Sequence, residues 1–241
     1  MVKLGNWELV ELGISKSFFM KKIELSCLFV ALASLLSCNT KQPIDAEVYV
    51  RYMADEQAYQ SEMSLRSVSG DKKVKEVEVQ DLFFIDGAME KKQHHVKGLI
   101  YKSESNGAWV SPIVFKGKME NDKPFNLSLE LVPITQFKVK EPQISSTNGF
   151  NLVWEGVALS KEESLTILVN DEIGITSSIN IKGPTASNET FVASSNLASL
   201  GRGQGTMSIV KQRMYEPKTD GVATKATLEY YSKTQSVLIG E

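Results

Sequence analysis

Apolar side chains in this 241-residue chain recur at every second position, and this spacing restricts the fold more than any other feature. Val48, Val50 and Tyr52 alternate with Glu47, Tyr49 and Arg51, and Phe125, Leu127, Leu129 and Leu131 alternate with Asn126, Ser128 and Glu130. A period of two sends successive side chains to opposite faces of an extended strand, one face to a core and the other to water. Between Ala46 and Thr135 nothing offers four turns of helical spacing, and only residues 56–61 suit a brief helix or a bulged crossing.

Turn signals divide the alternation. Residues 82–85, the Asp86-Gly87 pair and the segment from Ala88 read as a hairpin, because those two positions tolerate positive φ. Residues 95–102 and 109–118 read as further strands around a Ser105-Asn106-Gly107 turn. Pro133 and Pro142 bracket a domain joint at 134–141, since proline removes a ladder donor and restricts its neighbour. Beyond it, alternation resumes through Phe150, Leu152 and Trp154, through Leu165, Ile167 and Val169, and over 173–181, 207–215, 224–231 and 235–239. Residues 194–200 suit a single helical turn crossing between sheets. The pattern predicts an all-β protein of two tandem antiparallel β-sandwich domains, at 46–135 and 136–241, with Greek-key links.

Ahead of the strands stands a segment of different character. Lys21 and Lys22 precede an uncharged apolar run from Leu25 to Leu36, which is too short to span a bilayer and has the length of a signal-peptide core. It ends in Leu35-Leu36-Ser37-Cys38. Basic residues, apolar core, small residue and cysteine in that order resemble the precursor of a bacterial lipoprotein. The resemblance implies an N-terminal signal-peptide helix, cleavage between Ser37 and Cys38, and a diacylglycerol on the Cys38 sulfur. Glu8 and Glu11 lie ahead of the basic pair, where a signal peptide avoids acids, so Met20 is the expected start and the preceding residues an upstream extension. Residues 1–37 are accordingly assigned to the extension and signal peptide, and 38–45 to a lipidated tether.

Removing residues 1–37 takes away Lys3, Lys16, Lys21 and Lys22 with Glu8, Glu11 and Glu24, so 27 basic and 29 acidic residues become 23 and 26. This near-balance argues against nucleic acid and against electrostatic adhesion to anionic lipid, leaving the acyl chains as the membrane attachment. Cys27 lies in the leader and Cys38 is acylated, so the mature chain has no thiol for a disulfide, a nucleophile or a cysteine metal site. The polar tether carries no acidic run after the cysteine. In Bacteroidota-type lipoproteins, which the chain resembles in general style, such a run accompanies export to the surface. The expected location is therefore the periplasmic face of the outer membrane.

The second domain resembles the immunoglobulin-like modules of uncharacterised lipoproteins from Gram-negative bacteria. The residues concerned are Gly149, Leu152 and Trp154, the 191–200 connection leading to 207–213, and the closing Tyr230-Tyr231-Ser232 and Ser236-Val237-Leu238-Ile239. The resemblance implies a fold and no activity.

Candidate chemistry is sparse. His94 and His95 are the only histidines, and neighbours on a strand point to opposite faces, so a shared metal or a Ser-His-Asp apparatus is not expected. Glu162-Glu163 and Asp171-Glu172 fall beside turns, where acids solvate a loop. Gly201-Arg202-Gly203-Gln204-Gly205 lacks the strand-then-helix setting of a phosphate cradle. Trp109 is the candidate ligand contact, as a ring able to stack on a sugar, whereas Trp154 alternates with Leu152 and Phe150 as a core residue. The loops at 161–164, 170–173 and 183–189 are the expected contact surface. These features predict a lipid-anchored envelope protein serving as a binding or structural module, with no cofactor, metal or catalysis. Its partners are the membrane and a glycan or envelope protein. The alternatives are a carbohydrate-binding accessory of polysaccharide uptake and a strand-exchanging fimbrial subunit.

Overall fold

The computed structural model describes residues 43–68, 74–219 and 221–241. Every regular element among them is extended apart from two single 3-10 turns, Glu120–Asp122 and Ser194–Asn196. In chain order the strands are β1 (Ile44–Met53), β2 (Ala58–Val68), β3 (Val74–Glu76), β4 (Val79–Phe84), β5 (Gly87–Ala88), β6 (Glu90–His94) and β7 (Gly98–Asn106). They continue with β8 (Ile113–Met119), β9 (Pro124–Leu129), β10 (Phe137–Val139), β11 (Ile144–Ser145), β12 (Phe150–Trp154), β13 (Glu163–Asp171) and β14 (Thr176–Lys182). The last are β15 (Glu189–Val192), β16 (Gly203–Tyr215), β17 (Lys218–Thr219), β18 (Val222–Tyr231) and β19 (Gln235–Gly240). The all-β expectation holds throughout.

Two apolar cores form. In the first, the inner residues of β7, β2, β1 and β18 face a four-stranded sheet ordered β5-β4-β8-β9. Val50, Met63, Phe84, Phe115, Leu129 and Leu228 meet there with at most 1% of their surface exposed. Each such side chain contributes about 1.5–3 kcal/mol relative to leaving it in water. In the second, a three-stranded sheet ordered β10-β12-β15 faces β14, β13, the first half of β16, and β19. Trp154 fills its centre, 1% exposed, with its indole N–H donating to Val157 O at 3.0 Å. Gly149, at φ +79°, starts this layer, and a Cβ there would stand 2.2 Å from Val192 O, so only glycine admits the β12–β15 approach.

Strand β16 joins the two halves. Its first five residues pair with β19 and its last six with β18, while β13 runs along its other side from Gly205 to Arg213. The strand expected at 224–231 in the second domain spans Val222–Tyr231. It lies instead parallel to β1 along its whole length, Ile44 against Val222 and Met53 against Tyr231, and its inward residues Val222, Ala226, Leu228 and Tyr230 belong to the first core. The chain therefore returns to the first core after building most of the second.

Several local expectations shift. Residues 54–57 form a turn and β2 begins at Ala58, in place of a helix or crossing at 56–61. The hairpin turn falls at Ile85-Asp86, one residue early, with Phe84 paired to Gly87 and Ile85 at φ +55°, a conformation costly for a β-branched residue. Residues 95–97 form a turn and β7 starts at Gly98; residues 107–112 form a loop and β8 starts only at Ile113. The glycine-rich stretch is largely strand, Gly203, Gln204 and Gly205 pairing with Ile239, Leu238 and Val237.

Candidate binding site on the outer face of the large sheet

Where the first-core sheet turns its outer face to solvent, register brings residues far apart in sequence into rows. One row reads Gln212, Glu229, Arg51, Gln60, Glu104 across β16, β18, β1, β2 and β7, and the next reads Met214, Thr227, Tyr49, Glu62, Lys102. The alternation that buries Val48, Val50 and Tyr52 turns Tyr49 and Arg51 outward, and the same parity on β18 turns out Thr227, Glu229 and Tyr231.

Glu229 is the hub. It accepts from Tyr49 Oη at 2.6 Å, Arg51 Nε at 3.2 Å, Gln212 Nε2 at 3.0 Å and Tyr231 Oη at 3.4 Å. The Arg51 guanidinium carbon lies 4.9 Å from the centre of the Tyr231 ring and 5.5 Å from that of Tyr49, so the cation is flanked by two aromatics. Burial, then the bond to the Glu229 carboxylate, raise the Tyr49 hydroxyl well above the ordinary phenol range, so it stays a donor. One row away Glu62 accepts from Lys97 Nζ at 2.5 Å and Lys102 Nζ at 3.1 Å. Burial opposes ionisation of Glu62, but the two ammonium groups outweigh it and hold the carboxyl below its usual value. Beside Tyr49 a groove of about 310 Å³ is lined by Tyr49, Glu62, Ser64, Lys97, Lys225 and Thr227 among others. It lies at the small end of the range for small-molecule sites.

The residues singled out from sequence are placed elsewhere. Ser37 and Cys38 lie outside the described residues. Trp109 sits in the 107–112 loop with its ring stacked on Tyr59 (5.9 Å between centres, 18° between planes) and set edgewise to Tyr52 and Tyr230. Half-buried against the first core, it serves packing, and its indole N–H has no acceptor among the described residues. Tyr59 and Tyr101 are buried, whereas Tyr49 is partly exposed. His94 and His95 do not diverge, because β6 ends between them: their rings stack at 4.7 Å and 17°, and His94 Nδ1 accepts from the amides of Val96 and Lys97.

The acidic pairs have structural roles. Glu163 pairs with Lys211. Asp171 accepts from the amides of Ile173, Ile175 and Gly201, and these bonds, that from Gly201 foremost, hold its carboxyl below the usual range. The three loops expected to form one contact surface do not. The 161–164 and 183–189 segments adjoin, with Ser164 opposite Lys182, whereas the 170–173 turn closes the other end of the β13–β14 hairpin.

Arg51, Gln212, Glu229 and Tyr231 had no signal in the sequence, because the parallel β1–β18 pairing that gathers three of them joins residues almost 180 positions apart. Comparison of the chain with protein families and with curated proteins finds no match.

Proposed function

We propose that this is a lipid-anchored protein of the bacterial envelope whose folded body is a non-catalytic binding module, with its ligand site on the outer face around Tyr49, Arg51, Glu229 and Tyr231. The observation that carries the reading is the flanked Arg51. A guanidinium tied at Nε and set against two partly exposed aromatic rings is an arrangement for holding a ligand. Glu229 accepts from four side chains, and Glu62 is held below its usual value by its two ammonium partners, so both serve as fixed acceptors.

The body reads as two tandem β-sandwiches. Support for an immunoglobulin-like second unit is its strand order, β10-β12-β15 against β14-β13-β16-β19, with a buried tryptophan on an early strand. The lipobox pattern ending at Cys38 supports attachment to the outer membrane, periplasmic face, through acyl chains. With only five residues from Asn39 to Pro43 ahead of β1, the body begins within ~18 Å of the lipid surface.

Of the alternatives, glycan binding gains support from the partly exposed Tyr49 and Tyr231. Strand exchange loses it, since β19 is paired to β16 on one side and to β11 on the other within its own chain.

The test is mass spectrometry of the N-terminal peptide from membranes of an expressing bacterium. A diacylglyceryl thioether on Cys38 is expected, together with loss of membrane retention in Cys38→Ser. A free thiol at Cys38, or a product retaining residues 20–37, overturns the anchoring.

A further inference from the structure

Deepening the binding-module reading, on which it rests, we propose that Arg51 is the carboxylate subsite of a surface that binds polysaccharide built from uronic acids. Three observations on the outer face converge on this chemistry.

The first is preorganisation. Arg51 spends only its Nε on Glu229, and among the described residues no acceptor takes its two Nη groups, while 35% of the side chain remains exposed. Tyr49 and Tyr231 restrict the plane of the fork, so little side-chain freedom remains to be lost when a planar, two-oxygen acceptor arrives. Glu229 does not compete for those groups, because its other bonds go to Tyr49, Gln212 and Tyr231.

The second is charge. Lys97 and Lys225 line the groove with Glu47 and Glu62, and Lys102 adds a second ammonium on Glu62, so the carboxylates along that wall are matched by cations. One planar fork beside a charge-balanced wall suits isolated carboxylates spaced along a polymer.

The third is the character of the groove beside Tyr49. Its volume of about 310 Å³, an aromatic wall and the hydroxyls of Ser64 and Thr227 match a sugar ring, which offers an apolar face for stacking and hydroxyls for the rim. Polar side chains continue along the solvent side of β13, β14 and β16, where Asn180 Nδ2 donates to Thr166 Oγ1 at 3.0 Å and Thr176 Oγ1 donates to Asn170 Oδ1 at 2.6 Å. A chain of sugars can therefore extend past the first ring.

The experiment is isothermal calorimetry of the full chain, purified in detergent, against polygalacturonate and an uncharged glucan, for wild type, Arg51→Lys and Arg51→Gln. Circular dichroism melting of each variant serves as the folding control. Expected are binding of polygalacturonate that weakens with salt, no comparable binding of the glucan, and a loss of about tenfold or more in both variants, because lysine keeps the charge but not the fork. Equal affinity of wild type and variants for polygalacturonate overturns the subsite. So does binding of the glucan as tightly as the acidic polymer, an outcome that leaves the binding-module reading standing. Absence of polygalacturonate binding by a folded wild-type protein overturns the subsite as well. The anchoring half of that reading is decided separately, by the state of Cys38.

Discussion

Lys211 Nζ lies 2.8 Å from Glu163 Oε1 with 3% and 9% of the two side chains exposed, an ion pair almost wholly withdrawn from water. It sits on β16 between Ile209, which belongs to the second core, and Tyr215, which packs on the first. One turnless strand thus crosses from one core to the other through a polar layer, in which Arg213 also donates to Glu130 O and Tyr215 Oη accepts from the Glu130 amide.

Breaking this pair from one side strands a buried charge. Lys211→Met is expected to lower unfolding stability by about 3–5 kcal/mol. The double change Lys211→Met with Glu163→Gln, which keeps an acceptor for the Ser160 amide, is expected to recover most of that loss. Urea titration of the two variants checks it, and equal losses contradict the account.

Asp171 ties the 173–175 turn to the crossing before β16. Asp171→Ala is expected to speed amide hydrogen exchange at Ile173, Ile175 and Gly201 together, while the Val50 and Leu228 amides of the first core keep their protection.

Acid stability follows from the same carboxylate and from Glu62. Both are held below their ordinary values in the folded chain, so both favour the folded state above the unfolded-state values of about 4. That contribution disappears as pH falls from about 4 through the lower folded values. Thermal melts across that window should show the decline, with a smaller decline in Asp171→Ala.

At the alkaline end the sign reverses. Burial pushes the Tyr59 hydroxyl up to about 12, where it donates to Ala108 O at 3.0 Å and accepts from Val110 N at 2.6 Å. A raised value means stability complete below the unfolded value of about 10 and lost between there and about 12. Tyr59→Phe should lose about 1–3 kcal/mol at neutral pH, by leaving both loop groups without their partner, and should show a shallower alkaline decline.

Trp109 separates packing from recognition. Its buried indole N–H lacks an acceptor, so Trp109→Phe removes a desolvated donor while keeping an aromatic ring against Tyr59. Melting within about 1 kcal/mol of wild type is expected, with polygalacturonate affinity unchanged. A selective loss of affinity would return this ring to the ligand site.

The strand content, the division of each strand into wet and dry faces and the buried place of Trp154 were legible in the sequence, because alternation of apolar and polar residues is a local property that a strand must obey. Turn positions slipped by a residue or more where chemistry such as Asp86-Gly87 fits two neighbouring registers, and His95 was placed at the head of a strand that begins only at Gly98. The polar platform had no local signature. Tyr49, Arg51, Glu229 and Tyr231 each read as an ordinary outward residue of an amphipathic strand, and only the parallel seating of 222–231 beside 44–53 makes them one site. Local patterning sets which way a side chain faces, whereas strand order is set by the burial of whole faces against one another, an energy that is gained only once distant segments meet.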